Sequence, residues 1–326
     1  MIRTIFLGTP DFAAIQLEAL ANDRRYVVVG VVTQPDRAAG RGRAPEPPPV
    51  KRAALRLGIP VLQPETLRDP ATVEQLAALR PDAGVVAAYG EILRKSVLEI
   101  PPLGYLNIHP SLLPRHRGPA PVVGAILAGD AEAGVTLIRL ESKMDAGPIL
   151  AQRRVPLAPD ARAGALTTQL FELGAAMLVE ALAAYAAGQI APVPQDEIQA
   201  TYTRLLQKSD GAIDWGAPAA QIERMTRAYD PWPGAYTSWR GQRLKIIAAR
   251  AHPRWQGDEP PGTLLARAEG LWIATGAGAL EPLVVQPAGK RALPVVEWRR
   301  GLRGIEGERL GGDEGSSSSY SKEQND

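Results

Sequence analysis

Three nearly continuous apolar runs, Ile2–Leu7, Val27–Val32 and Gly84–Ala88, constrain this chain more than any other feature. Each has strand length and is rich in branched side chains. None alternates with polar residues, so none has a face to give to water. Such runs belong in a mostly parallel sheet that is covered on both sides. Between them lie segments with apolar residues at helical spacing, at about Phe12–Ala21, Arg52–Leu57 and Ala71–Leu79, plus a short strand at Pro60–Leu62. The turn Gly8-Thr9-Pro10-Asp11 separates the first strand from the first helix. Strands at Val135–Glu141 and Ile149–Val155 follow, then an alanine-rich helix from about Ala165 to Ala186. This rhythm predicts an α/β domain.

With 326 residues, the chain exceeds what one core organises, so two domains are expected. The first, residues 1–188, is expected to be Rossmann-like. A linker containing Pro192 and Pro194 covers 189–206. Residues 207–311 carry short β-rich runs such as Leu244–Ala248 and Leu271–Thr275 between glycine turns, with a short helix at Ala219–Ala228. They predict a smaller β-barrel of OB-like type. Residues 312–326, polar and serine-rich, are expected to form a disordered tail.

The absence of cysteine excludes disulfides, thiol nucleophiles and cysteine-ligated zinc. The N-terminus lacks the pattern of a secretory signal, and no uncharged apolar stretch reaches the roughly 18 residues of a membrane span. A cytoplasmic chain with no membrane association is therefore expected, acting as a monomer. A net charge of +2 means that any nucleic-acid contact rests on local basic patches. Only three histidines, His109, His116 and His252, are available for acid–base chemistry.

The densest chemistry lies in Gly104–Gly118, GYLNIHPSLLPRHRG. Asn107 and His109 alternate on a strand, so both side chains share a face at its carboxyl end, where α/β sheets hold ligands. An amide suits a carbonyl oxygen that gains negative charge, and a histidine with a carboxylate partner suits proton movement. Asp145, in the turn Lys143-Met144-Asp145-Ala146-Gly147-Pro148, is the candidate partner. It is expected to raise the imidazole's pKa by favouring the cation. On spacing alone an Asn-x-His pair is more often structural than catalytic, with His109 as a loop cap and Asp145 as a turn former. His116 is expected at the surface. Arg115 and Arg117, flanking the same loop, are candidates to meet an acceptor's phosphate or ribose.

The stretches NIHPSLLPRHRGPAP, ILAGDAEAGVT and MDAGPIL together resemble the folate-dependent formyltransferases, whose catalytic asparagine, histidine and aspartate match Asn107, His109 and Asp145. Within that superfamily, FLGTPDFA, VTQPDRAAGRGR, AYGEIL, DPWPGA and QPAGKRAL look like the methionyl-tRNA branch. The resemblance covers about residues 1–310. It implies 10-formyltetrahydrofolate as formyl donor, no metal, and a pterin pocket lined by Tyr89, Gly90, Glu91, Ile92, Leu93, Ser111, Leu112, Leu113 and Pro114. Core packing is the plain alternative for those leucines.

The acceptor is read from Gln34–Arg43, whose Arg37, Arg41 and Arg43 stand among glycines and alanines. Arginines there can grip phosphates and stack on unpaired bases. The matching loop of the methionyl-tRNA branch enters the acceptor stem, which implies initiator methionyl-tRNA as partner and a role in translation initiation. A solvated surface loop is the simpler explanation. A sugar-amine formyltransferase shares the NxHxSLLP and DPWPGA elements and remains the competing enzyme. A non-catalytic folate- or RNA-binding protein is the competing non-enzyme. Lys245, Arg250, Arg254, Lys290 and Arg291 are either a second phosphate-contacting face or scattered solubilising charges.

Overall fold

The computed structural model describes residues 1–38, 45–268, 270–302 and 304–311. The chain forms two compact units, Met1–Leu205 and Leu206–Asp326.

In the first unit the elements run β1 (Ile2–Gly8), α1 (Asp11–Asn22), β2 (Tyr26–Val32), α2 (Pro49–Arg56), β3 (Val61–Leu62), α3 (Pro70–Ala78) and β4 (Ala83–Ala87). Then come β5 (Tyr105–His109), α4 (Pro121–Ala128), β6 (Glu132–Arg139), β7 (Ile149–Pro156) and α5 (Ala163–Ala186). One seven-stranded sheet results, in the order β3-β2-β1-β4-β5-β6-β7. The pairs from β3 to β5 are parallel, whereas β5–β6 and β6–β7 are antiparallel. The sheet is thus mixed and mostly parallel.

The apolar runs behave as their composition demands. Ile5, Phe6 and Leu7 of β1, Val85 of β4 and Leu106 of β5 are fully buried. Burying each such side chain contributes about 1.5–3 kcal/mol relative to exposure. Gly84 is required by packing, since a Cβ there would lie 2.1 Å from the Tyr105 ring on the neighbouring strand. On one face of the sheet α1 and α5 meet through stacked rings of Phe12 and Phe171, 4.4 Å apart. The Gln16 amide donates to the Phe171 carbonyl at 2.8 Å. Helix α5 is long and apolar enough to cross a membrane by length and composition, but half of that window is buried within the chain. Leu170, Phe171, Met177, Leu178 and Leu182 are among the residues it commits to the core.

The second unit contains α6 (Ala219–Ala228), β8 (Tyr236–Trp239), β9 (Gln242–His252), β10 (Leu264–Arg267), β11 (Gly270–Ala274), β12 (Ala279–Pro287), β13 (Leu293–Pro294) and α7 (Val295–Arg300). Its strands form a separate antiparallel sheet in the order β8-β9-β12-β11-β10, with β13 beside β12. Register shifts at Ile246/Ala248 and Ala248/Ala249 interrupt the β9–β12 ladder, and bulges of this kind curl a sheet. Inside the curl Trp215, Ile222, Leu244, Ile246, Leu271, Ile273 and Leu280 share one core. The Trp215 indole N–H is satisfied by the Thr237 hydroxyl at 3.0 Å.

Candidate active site

The carboxyl ends of β1, β2, β4 and β5 converge, because parallel strands release their following loops at one edge. The Tyr89 carbonyl accepts from Thr9 Oγ1 and from Gln34 Nε2, each at 3.3 Å, tying three of those loops together. Asn107 and His109 lie at the end of β5, so the sheet itself fixes their backbone.

The Asn107 amide N–H donates to the Val86 carbonyl on the adjoining strand at 3.2 Å. An amide nitrogen has two protons, and the second is available to a bound carbonyl oxygen. His109 is buried, with 5% of its surface exposed. Its Nε2 lies 2.9 Å from the His116 carbonyl oxygen. A carbonyl only accepts, so Nε2 carries the proton and Nδ1 holds the lone pair. On the Nδ1 side, Asp145 Oδ2 stands 3.7 Å away. That separation is too long for a hydrogen bond but close enough to stabilise a charged imidazole.

The expected upward shift of His109 does not occur. Burial pushes its pKa below the usual histidine value, outweighing the rise contributed by Asp145 and by the His116 carbonyl. Desolvation penalises the imidazolium more than the Asp145 carboxylate 3.7 Å away favours it. The resting imidazole is therefore neutral near pH 7.

Asp145 is placed from two directions. Its backbone is left-handed, with φ +49°. Its Oδ2 accepts the Gly118 N–H at 2.7 Å. Nearby Gly147 has no room for a side chain, since a Cβ would lie 1.8 Å from the Arg139 carbonyl oxygen.

His116 is buried rather than at the surface, with 8% exposure. Its ring is held by Asp130 at 2.7 Å, its N–H donates to Thr201 Oγ1, and its backbone is left-handed at φ +57°. That conformation turns the carbonyl towards His109. Arg117, too, differs from its expected place: it is fully buried and bound to Gln195, Glu197 and the Tyr202 hydroxyl, so it cannot meet an acceptor. Arg115 pairs with Asp130 at 2.6 Å and stays half exposed. No sequence signal marks His116, whose role depends on its main chain.

The folate candidates fall into two loops following the adjacent strands β4 and β5. Tyr89, Leu93, Ser111 and Leu113 are buried, so their side chains belong to the scaffold. The Glu91 carboxylate accepts from Thr66 Oγ1 at 2.8 Å and from the Leu67 N–H, which anchors the first loop. Ile92 is 69% exposed, and Met144, next to Asp145, is 51% exposed. Uncovered apolar side chains on such loops fit a flat ring system. Gly90 is left-handed, with open space where a Cβ would stand. The second loop is braced from β6 and β7. Thr136 Oγ1 accepts the Leu113 N–H and donates to the Ser111 carbonyl, while Gln152 Nε2 donates to the Leu113 carbonyl. Leu112 and Pro114 border a cleft of about 280 Å³ on the side of this loop that faces Gln152 and Val122. Among the described residues, no group of three or more His, Asp or Glu side chains could hold a metal.

Arg37 is exposed, with its Nη2 3.4 Å from Gln34 Oε1. Arg41 and Arg43 lie outside the described residues. Asp36, the acid opposing them in sequence, pairs with Lys51 at 2.7 Å. Of the second-unit cations, Arg250 pairs with Glu281 at 3.1 Å, and Arg254, Lys290 and Arg291 are exposed.

Residues 2–182 match the family model described as formyl transferase, and residues 205–303 match the formyl transferase C-terminal domain. A methionyl-tRNA formyltransferase of Roseiflexus castenholzii is 68% identical over 311 residues, covering 95% of this chain and 99% of the relative. One from Herpetosiphon aurantiacus is 58% identical, covering 94% and 99%. Among solved structures, the N-formyltransferase of Helicobacter canadensis, in complex with folinic acid and dTDP-3-aminofucose, aligns with a TM-score of 0.66 at 18% identity, covering 88% of this chain and all of that one. HypX of Aquifex aeolicus with tetrahydrofolic acid aligns at 0.57 and 20% identity, covering 94% of this chain and 48% of that one. At such identities the structural likeness speaks for the fold alone.

Proposed function

Because the chain belongs to the formyl transferase family, we infer that it moves the formyl group of 10-formyltetrahydrofolate to the amino group of methionine on initiator methionyl-tRNA, for translation initiation. The observation that carries this reading is 58–68% identity to methionyl-tRNA formyltransferases along 94–95% of the chain, through both units. The work of such an enzyme lies in the cytoplasm. The domain plan that suits it is a catalytic fold over 1–188, a connector over 189–206 and a tRNA-binding domain over 207–311.

When bound, the folate supplies an activated formyl carbon, and Tyr89–Leu93 with Ser111–Pro114 are the residues that would hold it. Asn107 directs its spare amide proton at the formyl oxygen, which gains charge as the methionine nitrogen attacks. Neutral His109 accepts at Nδ1 the proton that this nitrogen loses. Asp145 stabilises the imidazolium so formed. His109 then returns the proton to the departing folate nitrogen as its bond to the formyl carbon breaks. Asn107, His109 and Asp145 are thus the catalytic residues of this reading, and no covalent intermediate on the chain is needed. Release of tetrahydrofolate that depends on charged initiator tRNA tests the reading. Release at the same rate without tRNA would reject it.

Arg37, Arg41 and Arg43 are assigned to tRNA phosphates. Replacing all three with alanine is expected to weaken tRNA binding and flatten its salt dependence. The slope should fall by about 0.7–0.9 log units per log unit of salt for each phosphate that the arginines neutralise. Filter binding across a series of NaCl concentrations reads that slope. An unchanged slope would remove the loop from the interface.

A further inference from the structure

We infer that Gln195, on the connector after the catalytic fold, is a positioning residue for Asp145. The inference rests on the formyl-transfer reading above. It starts from an unusual set of bonds. The Gln195 amide nitrogen donates to the Asp145 carbonyl at 2.8 Å and to the Gly147 carbonyl at 2.7 Å. Its oxygen accepts Nε and Nη2 of Arg117 at 3.1 and 2.7 Å. Both ends of one amide are therefore engaged, one by the turn that carries the carboxylate and one by a fully buried guanidinium.

The need for such a clamp comes from the turn. A non-glycine residue in the left-handed region lies above its relaxed conformation and persists only where neighbours hold it. Asp145 is such a residue, and its peptide carbonyl is one of the two groups that Gln195 grips. Arg117 completes the circuit. The residue after it, Gly118, gives its N–H to the Asp145 carboxylate at 2.7 Å. One short segment thus fixes the carboxylate directly and, through Gln195, its backbone.

Arg117 is held in turn by the same connector. Its N–H donates to the Thr201 carbonyl, its carbonyl accepts the Thr203 N–H at 2.7 Å, and its guanidinium pairs with Glu197 at 2.8 Å. Glu197 also takes Lys143, two residues before Asp145, at 2.5 Å. Arg117 first, then Lys143, pull the Glu197 carboxyl down to about 2. Val193 pairs with Ile149 through two backbone hydrogen bonds of 2.7 and 2.8 Å. The connector is therefore a strap pinned across the catalytic loops, and Gln195 ties it to the acid that faces His109.

Two variants test this in the full chain. Gln195→Ala removes the clamp. Gln195→Glu keeps the side-chain length and the acceptor for Arg117 but loses the donors to both carbonyls. Each is expected to lower kcat about 10- to 100-fold, as small misplacements at a reacting centre do, with KM for tRNA and folate changing less than about 3-fold. Gln195→Asn, which keeps the amide but is one methylene shorter, is expected to recover part of the loss. The second readout needs no substrate. With three histidines in the chain, the His109 imidazole can be followed by NMR as pH varies. Its surroundings include His116 as well as Asp145, and His116 is untouched by the variants. Gln195→Ala should titrate His109 at lower pH than the parent, because the carboxylate that favours its cation is loosened, whereas Gln195→Glu adds an anion of its own and is read by kcat. Full kcat with an unmoved His109 titration would overturn the inference, as would a loss confined to KM. If the parent chain fails to formylate tRNA while His109 still shifts in Gln195→Ala, the functional reading falls and the positioning role stands.

Discussion

His109→Ala is expected to reduce kcat for formyl transfer by about 100- to 10,000-fold, the usual contribution of a positioned acid–base group. The reason is local. The imidazole alone in this site can take the amine's proton at one nitrogen while its other nitrogen stays bonded to the His116 carbonyl at 2.9 Å. Alanine leaves Asn107 in place and so leaves oxyanion support intact, which sets a residual rate above the uncatalysed one. The variant also strands the His116 carbonyl without its donor, a cost of about 1–3 kcal/mol. Stability measured beside turnover separates the two effects. A folded variant with kcat within about 3-fold of the parent would remove His109 from the chemistry.

Asp145→Asn is expected to cost a similar factor, about 100- to 10,000-fold, by a different route. Asparagine preserves the shape and can still accept the Gly118 N–H, so the turn survives. It cannot stabilise the imidazolium that forms 3.7 Å away. The pH profile carries the signature. If His109 acts in its neutral form, as proposed, kcat/KM in the parent falls as pH drops through its burial-depressed pKa. Asp145 is one of the groups that raise that pKa. Its loss moves the acid limb to lower pH while the plateau drops. A limb that stays put, or moves upward, would mean that the carboxylate acts on something other than His109.

Much of the first unit is legible in the sequence because its signal is physical. Strands with no polar face, such as Ala83–Ala87, announce a sheet covered on both sides, and β1, β2 and β4 stand where the apolar runs predict them. The helix Pro121–Ala128 escapes such a reading. It is apolar throughout and starts at a proline inside a loop-like stretch, so it offers no amphipathic period. Asn107 and His109 can be paired from strand geometry alone, whereas Asp145 cannot. Its approach depends on β6 folding back antiparallel on β5, with His109 opposite Thr136, and on a left-handed turn beyond. The direction of the His109 shift is hidden for a related reason. A sequence shows the carboxylate as a neighbour but says nothing about how much water the fold removes. Gln195 and His116 leave no signal, because one lies in a proline-rich connector and the other acts through its carbonyl. The loop proposed to meet tRNA is different again: two of its three arginines, Arg41 and Arg43, lie outside the described residues.

The most direct test of the account is a comparison of acceptors with one donor. The parent chain is given 10-formyltetrahydrofolate with either charged initiator tRNA or an amino-sugar nucleotide, and kcat/KM is measured for each. The proposed function predicts a preference of about 100-fold or more for the tRNA, since groups that meet the aminoacyl end and the acceptor stem on that reading are left unpaired by a nucleotide sugar. Equal or better use of the amino sugar would contradict it.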